Sequence, residues 1–177
     1  FKTASAKGRY LITRVRLRLT THEHDLRTSY GAIQAVLEEK GISSPTPMDI
    51  GAAVIEIRRS KLPDWRQLGN AGSFFKNPII STADFEALQN RLKGIKIPAY
   101  PAGDGFVKLA AGWLIDQSGW KGKKIGPVGC YEKQALVIVN HGGATGEDIL
   151  SFSKKVMEDV EEKFGIALEQ EVNAISG

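Results

Sequence analysis

The run Gly69-Asn70-Ala71-Gly72-Ser73-Phe74-Phe75-Lys76-Asn77-Pro78 gathers the residue types from which a reactive loop can be made. Its glycines let the backbone turn sharply and approach a ligand closely. Ser73 offers a hydroxyl proton, Asn77 both donates and accepts, and Lys76 carries a fixed charge. An ordinary capped turn accounts for the same residues, so composition leaves both readings open. Arg58-Arg59-Ser60-Lys61 supplies cations of the kind that hold phosphate. At a helix end the same cations simply complement the dipole. Lys108, Trp113 and Lys121 also divide between ligand contact and ordinary core or surface roles. Glu169 and Glu171 alternate with Leu168 and Val172, which sets the carboxylates opposite the apolar side of an extended segment.

Several chemistries are excluded. His22, His24 and His141 have no Cys or His partner at ligand spacing, so no metal site is expected. There is no Walker loop, no G-x-G-x-x-G after a strand and no G-x-S-x-G elbow. The single cysteine, Cys130, rules out an internal disulfide framework and suits a reducing compartment, with the cytoplasm expected. The longest strongly apolar run, Ala135 to Val139, is far short of the roughly 20 residues of a membrane helix. No secretory signal opens the chain, and no membrane association is expected. The net charge of +4, from 24 Lys and Arg against 20 Asp and Glu, is a mild surplus scattered among acidic residues. It suits a phosphorylated small molecule better than nucleic acid, although the Arg14, Arg16 and Arg18 face keeps a nucleic-acid reading testable through salt dependence. The chain opens Phe1-Lys2 without Met, which reads as a start that is not the natural one.

The elements that must position these residues follow from periodicity. Residues 9 to 19 alternate, with Leu11, Thr13, Val15, Leu17 and Leu19 on one face and the arginines on the other, which predicts a half-buried strand. Tyr30 to Lys40 reads as a helix stopped by Gly41. A second helix starts at Thr46, with Pro47 in its first turn and Asp49 near its positive end, and stops before Pro63. Asp64 to Pro78 reads as loop, Ser81 caps a helix through Leu92, and Pro98 to Gly105 reads as turn and loop. Leu109 to Gln117 predicts a short helix, Ala135 to Val139 a buried strand, and Thr145 caps a last helix that Gly165 ends. Ile166 to Val172 predicts a final strand. Interleaved strands and helices give an α/β or α+β chain.

The segments GNAGSFFKNP (69–78), YPAGDGFVKLAAGWLID (100–116), KQALVIVN (133–140) and LEQEV (168–172) resemble those of the UDP-N-acetylenolpyruvoylglucosamine reductase family. SYGAIQ (29–34) and IRRSKLPD (57–64) resemble its subtype with a tyrosine loop over the substrate. The resemblance implies an α+β chain: the remainder of the second FAD-binding domain, residues 1–64 with the tyrosine loop, plus an α/β substrate-binding domain, residues 65–165. The last strand, 166–177, is left free to return to the first part. It implies NADPH- and FAD-dependent reduction of UDP-N-acetylglucosamine enolpyruvate to UDP-N-acetylmuramate for peptidoglycan. Ser73 would protonate the substrate carbon next to the one that receives hydride, and Glu171 would help stabilise the developing enolate. Tyr30, Lys61, Asn77, Tyr100, Lys108 and Gln134 would bind substrate, and Arg58 is the candidate for flavin contact. Two departures stand out. Gln170 and Asn173 replace a proline and an arginine of the family's motif, and the stretch with the family's catalytic arginine would precede Phe1. The expectation is a C-terminal piece that lacks the flavin cradle, holds FAD poorly and is inactive alone, with the N-terminal part of the same protein as its partner. The alternative is a nucleotide-sugar binding module without catalysis.

Overall fold

Thr46 and Asp49 show how short-range chemistry starts the first long helix. The Thr46 amide and hydroxyl both donate to Asp49 Oδ2 (2.8 and 2.6 Å), and the Asp49 amide donates back to Thr46 Oγ1 at 3.3 Å. This reciprocal box satisfies amides that have no partner within the helix. In a computed structural model that describes residues 9–175, helix α1 spans Ile33–Glu39 and α2 spans Pro47–Lys61. The chain divides between Val54 and Ile55 into two units.

In the first unit, Ile33 and Leu37 of α1 and Ala53 of α2 are buried. The strand expected over residues 9 to 19 is not formed: the segment has no regular structure, and Leu11 and Leu19 stand 88% and 81% exposed. Alternation states which face a strand would bury, but a strand needs a ladder partner and an apolar surface. Among the described residues neither is supplied. The Phe1-Lys2 start lies outside the described residues.

The second unit holds two antiparallel sheets. Its elements in chain order are β1 (Gly69–Ser73), β2 (Ile79–Ser81), α3 (Thr82–Arg91), β3 (Ala99–Pro101), β4 (Phe106–Leu109), α4 (Ala111–Gln117), β5 (Lys124–Ile125), β6 (Val128–Tyr131), β7 (Gln134–Asn140) and α5 (Gly146–Phe164). The four-stranded sheet runs β1-β7-β6-β5 and the three-stranded sheet β2-β4-β3. Helices and antiparallel sheets make the class α+β. The core joins Phe75, Leu109, Leu114, Ile115, Trp120, Val156 and Val160, all buried. α5 brings Phe152, Val156, Val160 and Phe164 to it, one stripe at helical spacing. The Trp120 indole N–H donates to Asp159 Oδ2 at 2.9 Å, which allows its bulk to be buried without an orphaned donor.

Both proline- and glycine-rich segments read as loop contain strands. Gly69–Ser73 becomes β1 because β7 offers an open edge, and a Cβ at Gly69 would still clear Asn140 at 3.7 Å. Ala99–Pro101 becomes β3, an edge strand, where the N–H that Pro101 lacks costs no ladder bond. The final strand reduces to a single bridge, Phe75 to Gln170, although Ile166 and Leu168 are buried in the core as alternation required.

Candidate functional site

Asn70 prepares the geometry of Ser73. Its Nδ2 donates to the Leu68 carbonyl and its Oδ1 accepts from the Gly72 amide, both at 3.0 Å, a side-chain turn of the type Asn favours. The pairing of β1 with β7 shifts register between Asn70 and Ser73, and Gly72 takes φ +75° inside that bulge. Ser73 then re-enters the ladder opposite Val137 with its side chain exposed. Phe74 and Phe75 turn inward, 3% and 1% exposed, with rings edge to face at 5.3 Å. The exposed Ser73 hydroxyl is thus followed directly by two buried anchors.

The C-terminal segment lies against this loop. The Lys76 amide donates to the Glu169 carbonyl at 2.9 Å, and the Glu171 amide donates to the Phe74 carbonyl at 2.8 Å. Lys76 Nζ and Glu169 Oε2 close the pair at 2.6 Å. Ser73 and Glu171 come from distant parts of the chain, and Glu171 is held by the residue that follows Ser73. An exposed hydroxyl can deliver a proton to a bound group, and a carboxyl can donate a hydrogen bond to a developing negative charge when it is in its acid form.

Asn77 and Gln134 meet the start of α4. Asn77 Oδ1 accepts from the Ala111 amide at 2.9 Å and caps a helix whose own N-cap, Ala110, has no side chain to do so. The Asn77 carboxamide nitrogen is the half that can address a ligand. A Cβ at Gly112 would come within 3.2 Å of Gln134 Oε1, so glycine there leaves the Gln134 carboxamide uncrowded. Gly112 and the capping role of Asn77 were not foreseen; their partners are far away in sequence, and nothing local signals them.

Tyr100 and Lys108 pair directly across β3 and β4, and Ile79 of β2 pairs with Lys108 from the other side. The row Ile79, Lys108, Tyr100 therefore shares one face of the small sheet, with Ile79 55% and Tyr100 57% exposed. A cation flanked by an aliphatic and an aromatic surface suits a ligand with both anionic and flat apolar parts. Arg58 and Lys61 are exposed in the last turn of α2. Tyr30 belongs to the first unit, 82% exposed in the turn that leads into α1.

Among the described residues no group of His, Cys, Asp and Glu could hold a metal ion, and no helix is long and apolar enough to cross a membrane. Cys130 is buried, and desolvation pushes its thiol up to about 12 against the pull of Lys123.

Residues 64–175 match the family described as UDP-N-acetylenolpyruvoylglucosamine reductase, C-terminal domain. A protein named UDP-N-acetylenolpyruvoylglucosamine reductase in Chromobacterium violaceum is 54% identical over 166 residues, 94% of this chain and 48% of that protein. Proteins of the same name are 52% identical in Pseudomonas aeruginosa (93% of this chain, 48% of that protein) and 50% identical in Flavobacterium johnsoniae (96% and 50%). The chain spans about half the length of the curated relatives it matches.

Proposed function

Since the chain belongs to the UDP-N-acetylenolpyruvoylglucosamine reductase family, we propose that it is the substrate-binding half of an enzyme that reduces UDP-N-acetylglucosamine enolpyruvate to UDP-N-acetylmuramate for peptidoglycan in the cytoplasm. The observation that carries this reading is the pair of backbone bonds that puts the Glu171 segment beside the Ser73 loop. Reduction of the enolpyruvyl double bond adds hydride to one carbon and a proton to its neighbour. In this reading Ser73 supplies the proton, and Glu171, as the protonated acid, donates a hydrogen bond to the enolate that builds before that proton arrives. Both act more strongly on the transition state than on the bound substrate. A serine hydroxyl is a weak acid, so it works only where the bound substrate displaces water. The Tyr100–Lys108 row and Lys61 would take the uridine and diphosphate, Asn77 and Gln134 would fix the nucleotide near α4, and Tyr30 would fold over the substrate. In the division proposed here, residues 1–64 are the end of the flavin part and 65–165 the substrate part.

FAD and NADPH are the cofactors this reading requires. The described residues do not fit a flavin pyrophosphate. The strand–glycine–helix passage from β7 through Gly142 and Gly143 to α5 has its amides taken: those of Gly142 and Ala144 by Asn140, and that of Asp148 by Thr145. Glu147 and Asp148 add negative charge in the first turn. Arg58, the candidate for flavin contact, lies in the last turn of α2, so the free amides at that helix's start do not face it. We therefore assign the flavin cradle to the half of the relatives that this chain does not span, and expect no turnover from this chain alone.

A titration of the chain with UDP-N-acetylglucosamine enolpyruvate, read through backbone amide shifts, tests the reading. Shifts at Tyr30, Lys61, Ser73, Asn77 and Gln134 support it. Their absence at millimolar ligand overturns it. The competing reading, a nucleotide-sugar module without catalysis, needs only the Tyr100–Lys108 row, and it predicts shifts there with none at Ser73 or Glu171.

A further inference from the structure

Ser153 is the only buried polar side chain among the described residues, with 0% exposure in the middle of α5. A hydroxyl there costs free energy unless both its donor and acceptor are used, and an alanine would fill the same stripe without that cost. Both are used. Ser153 Oγ donates to the Leu150 carbonyl at 2.8 Å and accepts from Gln170 Nε2 at 3.0 Å.

Gln170 stands between Glu169 and Glu171 at the bridge to Phe75. In an extended segment neighbouring side chains point to opposite sides. The bond from Gln170 to α5 therefore sends Glu169 and Glu171 the other way. Glu169 meets Lys76, and the Glu171 amide meets the Phe74 carbonyl. From Val172 to Ile175 the chain has no regular structure, and Val172 packs at the edge of the core. Apolar packing is non-directional, whereas the hydrogen bond of Gln170 to Ser153 is a directional tether of the segment to α5.

We infer that Gln170 and Ser153 are positioning residues that aim Glu171 at the substrate. This rests on the reading of Glu171 given above. The test is steady-state kinetics of the full-length holoenzyme carrying Gln170→Ala, Ser153→Ala, Glu171→Gln and the Gln170→Ala/Glu171→Gln pair. Gln170→Ala and Ser153→Ala should each lower kcat by about tenfold, a loss typical of modest misplacement, with KM for the enolpyruvyl substrate unchanged. The pair should lose no more than Glu171→Gln alone, because the tether acts only through Glu171. Losses that multiply in the pair, or wild-type kcat in Ser153→Ala, overturn the inference. Ser153→Ala keeps the core packed and decides the matter if Gln170→Ala does not fold. Wild-type kcat in Glu171→Gln overturns the underlying reading itself and is distinguishable because it needs neither tether variant.

Discussion

The backbone amide of Glu171 donates to the carbonyl of Phe74 at 2.8 Å, which sets Glu171 against the residue directly after Ser73. This main-chain bond does not depend on either side chain. Substitution of the Ser73 hydroxyl should therefore leave this bond in place, and a loss of activity in such a variant reports on chemistry rather than on folding.

Ser73→Ala removes an exposed hydroxyl that has no hydrogen-bond partner among the described residues. In the full-length holoenzyme, kcat should fall by about 10²- to 10⁴-fold, the range for loss of a positioned proton donor. The urea midpoint should stay within error of the wild type. A variant with wild-type kcat would remove Ser73 from the mechanism.

Asn77 combines two roles that two substitutions separate. Asn77→Ala removes the cap on the Ala111 amide and should cost about 1 kcal/mol in urea unfolding, besides weakening ligand binding. Asn77→Asp keeps the accepting oxygen, so stability should hold, while the lost N–H donor and the added negative charge should weaken binding of UDP-N-acetylglucosamine. Equal stability losses in the two variants would contradict the capping role.

Gly72 has φ +75° and open space where a Cβ would project. Gly72→Ala should therefore cost only backbone strain, about 1–2 kcal/mol. Urea unfolding should show a lower midpoint with an unchanged slope. Amide shifts should be confined to the Asn70–Ser73 bulge and the β7 residues opposite.

Acid should loosen α5 at its N-terminus. The Thr145 amide and hydroxyl both donate to Asp148 and hold its carboxyl below the model-peptide value of 3.8. The folded value is depressed, so the stability this supplies is present above 3.8 and is lost as pH falls through the folded value. The Tm advantage of the wild type over Asp148→Asn should be full at about pH 5 and fade toward about pH 2. Asp49, held down in the same way by Thr46, adds a parallel loss at α2. An advantage that persists to the lowest pH would refute the assignment.

What could be read in the chain itself was local. The Thr46, Ser81 and Thr145 caps, the apolar stripe of α5 and the buried β7 strand depend on residues within a turn or two of one another, where spacing and side-chain chemistry decide the outcome. The chemistry-bearing run around Ser73 was visible for the same reason. The strand expected over residues 9 to 19 does not form, because alternation is a statement about a face, and a face forms a strand only against a partner. The same dependence on partners turned two predicted loops into β1 and β3. Only the tertiary structure could pair Glu171 with Phe74, spend half of Asn77 on α4, open space for Gln134 at Gly112 and tie Gln170 to Ser153. Each of these joins residues far apart in sequence, and which groups meet is decided only when the apolar core closes and brings them within hydrogen-bonding distance.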